Sequence, residues 1–328
     1  MKNILVVFII LFTASSDAQI PETKFLKKES IKWAAFISDT FRFTNSNLSL
    51  QIREDFDKGK IKIFHPSFDS HGFINKEMTK KDFEESVRGV PISVIDSVGN
   101  EIGSVQAVFS NPLFDSSKFD EEINALAFVE QFIYIDKCRV KTNVSWVSPV
   151  MKIIMTSGDY LGNSYVFNAY HNTASAVSKS TRKKAIFLGS TERLYTDSSL
   201  REQSIKQWFG QNFAQALWPT LSSSQVDIYR LDSMKKIAFV NMTSSITDFY
   251  EITTTTQTML GLLVATAPPE HPVDPARMIR FKLFQNWYYS PQKKIVFNDI
   301  TAIIFYAIKT REGYSDTETS PVLKIVYR

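Results

Sequence analysis

The chain has 328 residues, a formal charge of +4, 44% hydrophobic residues and a single cysteine, Cys138. That apolar content supports folded cores and excludes a disordered tail, while one cysteine excludes an intramolecular disulfide framework. The mild, scattered charge does not mark a nucleic-acid binder.

Residues 1–18 read as a signal peptide. Lys2 supplies the positive start, Ile4 to Phe12 an unbroken apolar run, and Ser16-Asp17-Ala18 a small-residue cleavage site before Gln19. Nine apolar residues fall short of the about 20 that a spanning helix needs. Later, Thr258 to Ala265 is the nearest apolar run, and it stops at Pro268-Pro269. The expectation is an exported protein that does not span a membrane, in a compartment tolerant of a lone cysteine such as a bacterial periplasm. Three glycosylation sequons, at Asn47, Asn143 and Asn241, are of the frequency chance supplies.

In chain order, Ser30 to Phe43 is expected to be helical, with Ile31, Ala34, Ala35 and Phe41 near one face. Asn47 can cap a second helix reaching Lys58, ended by Gly59 in left-handed conformation. A strand at Lys60–Phe64 follows, then a helix capped by Thr79 with Asp82 in its first turn, where free N–H groups and the dipole favour a carboxylate. Val90–Ile95 and Ile102–Phe109 form a hairpin around Val98-Gly99-Asn100. Gln131–Asp136 and the strand from Arg139 form another. In that second strand Val140, Thr142, Val144 and Trp146 point one way, and Lys141, Asn143 and Ser145 the other, giving one buried and one wet face. Ser157 to Gly162 turns the chain into a strand at about Ser164–Tyr170.

The order then repeats. Ser204-Ile205-Lys206-Gln207-Trp208 echoes Ser30-Ile31-Lys32-Trp33, and a helix is expected to continue to Trp218-Pro219. Val226-Asp227-Ile228-Tyr229 matches Ile61-Lys62-Ile63-Phe64. Ser245-Ile246-Thr247-Asp248-Phe249 matches Thr79-Lys80-Lys81-Asp82-Phe83 at nearly the same separation. Phe284–Tyr289 and Lys293–Tyr306 form the second hairpin, with Ser290-Pro291-Gln292 where the first has Asp136-Lys137-Cys138 and Asn298 matching Asn143. The last strand is Val322–Tyr327. The reading is therefore an α+β protein of two tandem units, each with helices and a mainly antiparallel sheet. Residues 19–178 and 195–328 are the units, and 179–194 the linker. Within that linker, Lys179-Ser180-Thr181-Arg182-Lys183-Lys184 is a basic patch read as solvated in preference to nucleic-acid or anionic-surface binding.

Catalytic chemistry finds little support in the residue pattern. His65, Asp69 and His71 could ligate zinc in a metal-dependent hydrolase, but Pro66, Ser67 and Gly72 mark a surface loop without a fourth ligand. His171 and His271 stand apart in polar loops. Cys138 sits in a turn, no nucleophile elbow occurs, and eleven glycines form no phosphate or dinucleotide loop. Asp120-Glu121-Glu122 reads as a helix start and Pro268 to Pro275 as a stiff connector. No catalytic, cofactor-binding or metal residue is assigned. Aromatic density in the hairpins stands out: Phe132, Tyr134 and Trp146 in one, Trp287, Tyr288 and Tyr289 in the other. Core packing is the simpler account; a partner surface is the functional one, since Trp and Tyr anchor interfaces.

These residues resemble the GldN/PorN family, periplasmic components of gliding motility and type IX secretion. Lys58-Gly59-Lys60-Ile61-Lys62-Ile63-Phe64 is similar to the family's strand element. Phe132-Ile133-Tyr134-Ile135-Asp136-Lys137 and Asn286-Trp287-Tyr288-Tyr289 are similar to its hairpin, and Val147-Ser148-Pro149-Val150 to the hairpin's exit. The family unit is single where this chain reads as doubled, and its Trp/Arg-rich N-terminal helix is echoed only by Trp33. The resemblance implies a non-enzymatic structural subunit associated with an outer-membrane lipoprotein partner of the GldK/PorK type. An exported peptide- or glycan-binding module is the alternative reading.

Overall fold

A computed structural model describes residues 26, 28–44, 48–65, 77–87, 90–95, 98–110, 126–137, 139–155, 160–164, 169, 177–197, 204–207, 211–223, 226–231, 236–237, 255–257, 263–265, 274–309 and 318–328. The signal-peptide segment, the Ser245 helix, Cys138, Asp69 and His71 lie outside them.

The described chain is mostly antiparallel sheet with few helices. In order it forms β1 (Ile31–Arg42), helix α1 (Leu48–Asp57), helix α2 (Lys80–Val87), β2 (Val90–Ile95), β3 (Glu101–Ser110), β4 (Leu126–Asp136), β5 (Arg139–Pro149), β6 (Met151–Met155) and β7 (Tyr160–Ser164). A short helix at Lys179–Lys183 precedes β8 (Ile186–Thr196) and β9 (Ser204–Gln207); another, Phe213–Leu217, precedes β10 (Val226–Arg230) and β11 (Lys236–Ile237). Then come β12 (Thr255–Gln257), β13 (Leu263–Ala265), β14 (Arg280–Ser290), β15 (Ile295–Lys309) and β16 (Glu318–Tyr327). The strand orders are β5-β4-β1-β9 and β11-β10-β16-β15-β14-β8, with a small sheet β2-β3-β6-β7 and a ribbon β12-β13.

The two largest sheets face each other. One lobe of the core joins Trp33, Ile133, Ile135 and Val140 to Phe281, Leu283, Ile303 and Phe305, and receives the Phe213 helix. The other joins Phe41, Val129, Val144 and Val147 to Leu188, Trp287, Tyr289 and Val296, and receives α1. Between the lobes runs a buried polar seam. Gln285 donates to Gln131 at 3.4 Å, Asn298 Nδ2 donates to Gln131 at 2.8 Å, and the Thr142 hydroxyl meets Asn298. At its edge Arg193 reaches Asp39 at 2.5 Å.

The contacting pairs are nearly equally spaced along the chain. Asp39 and Arg193 are 154 residues apart, Gln131 and Gln285 also 154, and Thr142 and Asn298 156. β1, β4 and β5 therefore lie opposite β8, β14 and β15 in matching register. Both hairpins carry a bulge at the same place, Glu130/Gln131 and Phe284/Gln285. Both turns place a lysine at positive φ, Lys137 at 58° and Lys294 at 53°.

Several expectations need correction. Within Ser30–Phe43 the chain forms strand β1, not a helix: the opposite sheet covers Trp33, Ala35 and Ile37 on one face, and Leu26, Phe132 and Tyr134 cover Ile31 and Ala34 on the other, which erases the alternation that marks a half-wet strand. Ser204–Gln207 is strand β9, hydrogen-bonded to β1 itself, so the two segments are neighbours in one sheet and not equivalents in two. The expected linker 179–194 instead holds a short helix and the greater part of strand β8. Ile61 to Phe64 forms a single bridge, Phe64 to Glu77, where Val226–Arg230 is a full strand. The β4–β5 bulge makes Ser145 the extra residue and turns Trp146 opposite Glu130, away from the face of Val144. Asn143 and Ser145 are buried, not wet.

Other local rules hold. Asp82 N–H donates to Thr79 Oγ1 at 3.1 Å and Thr79 N–H to Asp82 at 2.9 Å, a reciprocal cap in which Asp stands in for Glu. Gly59 ends α1 at φ 62°. Gly189 is more demanding: at φ 146° a Cβ would lie 3.2 Å from Thr44 N. Gly189→Ala is expected to cost about 1–3 kcal/mol, measured as a lowered urea midpoint.

Candidate functional site

Five of the six hairpin aromatics singled out in the sequence lie in the interior. Trp287 is 0% exposed, its indole between Phe41 and Phe43 at centroid distances of 4.8 and 5.3 Å, and its Nε1–H donates to Thr191 Oγ1 at 2.7 Å. The Tyr289 hydroxyl donates to the buried Asp55 carboxylate, which also accepts from Lys294 at 2.7 Å. Burial alone would pull the Lys294 ammonium down; the hydrogen bonds to Asp55 and Tyr289 outweigh it and leave its pKa raised. This trio ties α1 to the β14–β15 turn.

Phe132, Tyr134 and Trp146 occupy the face of the four-stranded sheet turned away from the sandwich. Phe132 meets Phe36 at 4.8 Å and Trp146 meets Phe64 at 5.3 Å. Leu26, Ile31 and Ala34 complete the cluster around Phe132 and Tyr134. Burial, helped by the Asp136 charge, pushes the Tyr134 hydroxyl up to about 12. Among these rings sits Glu130, directly across from Ser38 and Trp146. Burial raises its pKa to about 7 against a smaller opposing hydrogen bond from Ser38, and its Oε2 has no hydrogen-bond partner. Sequence reasoning passed over Glu130. The signal available was a Glu130-Gln131 pair inside the otherwise apolar run Leu126 to Ile135.

Tyr288 is different. Residues of β14 alternate between the core and the far face of the six-stranded sheet, and Tyr288 stands on that far face, half-buried. Its ring stacks on Phe297 at 5.4 Å and 20° and meets Phe187 at 5.6 Å, making a row across β8, β14 and β15. Phe187 is 40% exposed. Arg182, paired with Asp299, lies 5.6 Å above Phe297, and Ser190 donates to Asn286 at 2.7 Å beside the row. Such a surface offers flat apolar area with polar groups at its margin, suited to holding a partner.

The histidine loop is brought only partly into view. His65 is half-buried, with Nε2 4.0 Å from Asp82. No group of three or more metal-ligating side chains occurs among the described residues. No helix among them is long and apolar enough to cross a membrane. No family model, curated protein or solved structure matches the chain.

Proposed function

We propose that the chain is a non-enzymatic structural subunit of a type IX secretion or gliding-motility envelope complex, docking on its partner through the far face of the six-stranded sheet. The observation that carries this is the Tyr288 row. Tyr288 is the one residue of the six aromatics singled out in the sequence that is not fully buried, and its row lies on a broad sheet face bounded by the edge strand β8. By the GldN/PorN resemblance the compartment is the periplasm and the partner an outer-membrane lipoprotein.

The proposal includes an internal duplication, each half an α+β unit of a long strand, a helix and a hairpin. The 154-residue spacing of Asp39 and Arg193, and again of Gln131 and Gln285, supports it. So do the matching bulges. The family-like segments Phe132–Lys137 and Asn286–Tyr289 then fall at the same position in both halves.

Purification of the tagged chain from native membranes is expected to bring a lipoprotein with it. Tyr288→Ala should weaken that association by about 2 kcal/mol, the scale of an interface anchor, while far-ultraviolet circular dichroism stays unchanged. Recovery of the wild type alone and soluble would sink the reading. A glycan-binding module is favoured by one feature, the Ser190–Asn286 pair beside stackable rings. A glycan array on the same protein decides between the two.

A further inference from the structure

The basic run Lys179 to Lys184 does not hang free. It forms a helix capped by Ser178, whose hydroxyl accepts from Thr181 N–H, and its Arg182 is fixed over Phe297. The chain then enters β8 at Ile186, opposite Tyr289. One residue beyond Tyr289 the β14–β15 turn begins, carrying Lys293. Lys183, Lys184 and Lys293 therefore gather at one end of the six-stranded sheet, all exposed. The neighbouring cations are paired: Arg182 with Asp299 and Lys294 with Asp55. Among the described residues no carboxylate lies within ion-pair distance of Lys183, Lys184 or Lys293. Beside these three cations, Ile186 is 47% and Phe187 40% exposed.

We propose that Lys183, Lys184 and Lys293, with Ile186 and Phe187, form a patch that docks the protein on an anionic lipid bilayer. The chemistry fits two layers of that surface at once. Ammonium groups on long stems meet the lipid phosphates, and the aliphatic and aromatic side chains enter the boundary between headgroups and acyl chains. A polyanion without an apolar layer, such as a nucleic acid, would use the lysines and leave Ile186 unused. The patch shares Phe187 with the Tyr288 row, but its cations and Ile186 lie outside that row, so substitutions there test it separately from the assembly reading.

The test is flotation of the full chain with phosphatidylcholine vesicles that contain or lack phosphatidylglycerol. Binding is expected only with the anionic lipid and should weaken with salt. The triple change Lys183→Gln, Lys184→Gln, Lys293→Gln should reduce it roughly a hundredfold, at about fivefold per lysine. Ile186→Ser should weaken it as well. A control with Arg42→Gln and Lys80→Gln, exposed charges elsewhere, should bind as the wild type does. Melting curves of each variant verify folding. Binding that persists in the triple variant, as an apolar leader segment would give, overturns the proposal. So do equal losses in the control, or binding to a single-stranded oligonucleotide with none to vesicles. Loss of vesicle binding with lipoprotein co-purification intact leaves the assembly reading standing. The reverse result separates the two in the other direction.

Discussion

Trp287→Ala is expected to unfold much of the protein's margin of stability, at about 3–5 kcal/mol, the range for emptying a large buried aromatic site. The indole is fully buried and contacts Phe41 of β1 in the opposite sheet and Phe43 just beyond that strand. Its removal therefore opens a cavity between the sheets and not at the surface. The Thr191 hydroxyl also loses the Nε1–H donor that it accepts from at 2.7 Å. Phe41 cannot collapse into the void easily, because its backbone is held in register against Ala127 of β4. Trp287→Phe keeps most of the volume and loses the hydrogen bond, so it should cost roughly 1–2 kcal/mol. Thermal melting of the two variants gives the order. Capture of the partner by the fraction that remains folded should be unchanged, and weakened capture with an unaltered melting point would contradict the core assignment.

The hairpins were legible because their strands carry long β-branched and aromatic runs joined by short turns, a signal local to the chain. The Thr79 cap and the Gly59 stop were legible for the same reason, each resting on a contact within four residues. β1 was not. Trp33, Ala34, Ala35, Phe36 and Ile37 form a continuous apolar stretch, which suits a buried helix and a doubly covered strand equally. What decided the matter was pairing with β4, a partner far along the chain that periodicity cannot see. The basic run before β8 misled in a different way, since lysines fit a linker as readily as a strand entrance. β8 itself mixes exposed and buried residues without clean alternation.

The candidate site divides along similar lines. Aromatic density identified the hairpins but could not say which ring faces out, because one bulge residue reverses every side chain beyond it. Ser145 does this for Trp146. In β14 the period holds, and Trp287, Tyr288 and Tyr289 alternate as core, surface and core. The polar seam of Gln131, Thr142, Gln285 and Asn298 was invisible as a unit. Each member is an ordinary amide or hydroxyl within an apolar strand, and only the facing of the sheets brings them together. Gln131 Nε2 and Gln285 Oε1 stay unpartnered, but the bonds that the seam does make form only in this register and disfavour sliding of one sheet over the other.

Glu130 should make the protein lose stability as pH rises through the weakly acidic range. Its ordinary pKa of 4.5 is raised to about 7, chiefly by burial among Trp146, Phe132 and Phe128. In the folded state the carboxyl keeps its proton up to near neutrality, whereas in the unfolded chain it releases it near 4.5. Between those values the folded state binds more protons than the unfolded one, so stability is fully present below the window and falls across it. At 1.36 kcal/mol per pH unit the whole window amounts to about 3 kcal/mol. The opposite slope, from carboxylates such as Asp136 whose pKa is lowered, belongs to more acidic pH and does not overlap it. Glu130→Gln keeps the shape and can still accept a hydrogen bond from Ser38, but it has no proton to lose. The variant should match the wild type near pH 4 and exceed it by up to about 3 kcal/mol near pH 8, read from urea midpoints at several pH values. The difference between the two curves isolates this carboxyl from every other titrating group. Parallel curves would mean that Glu130 is ionised in the folded protein, with a cation supplied to it that its neighbours Ser38 and Trp146 cannot provide.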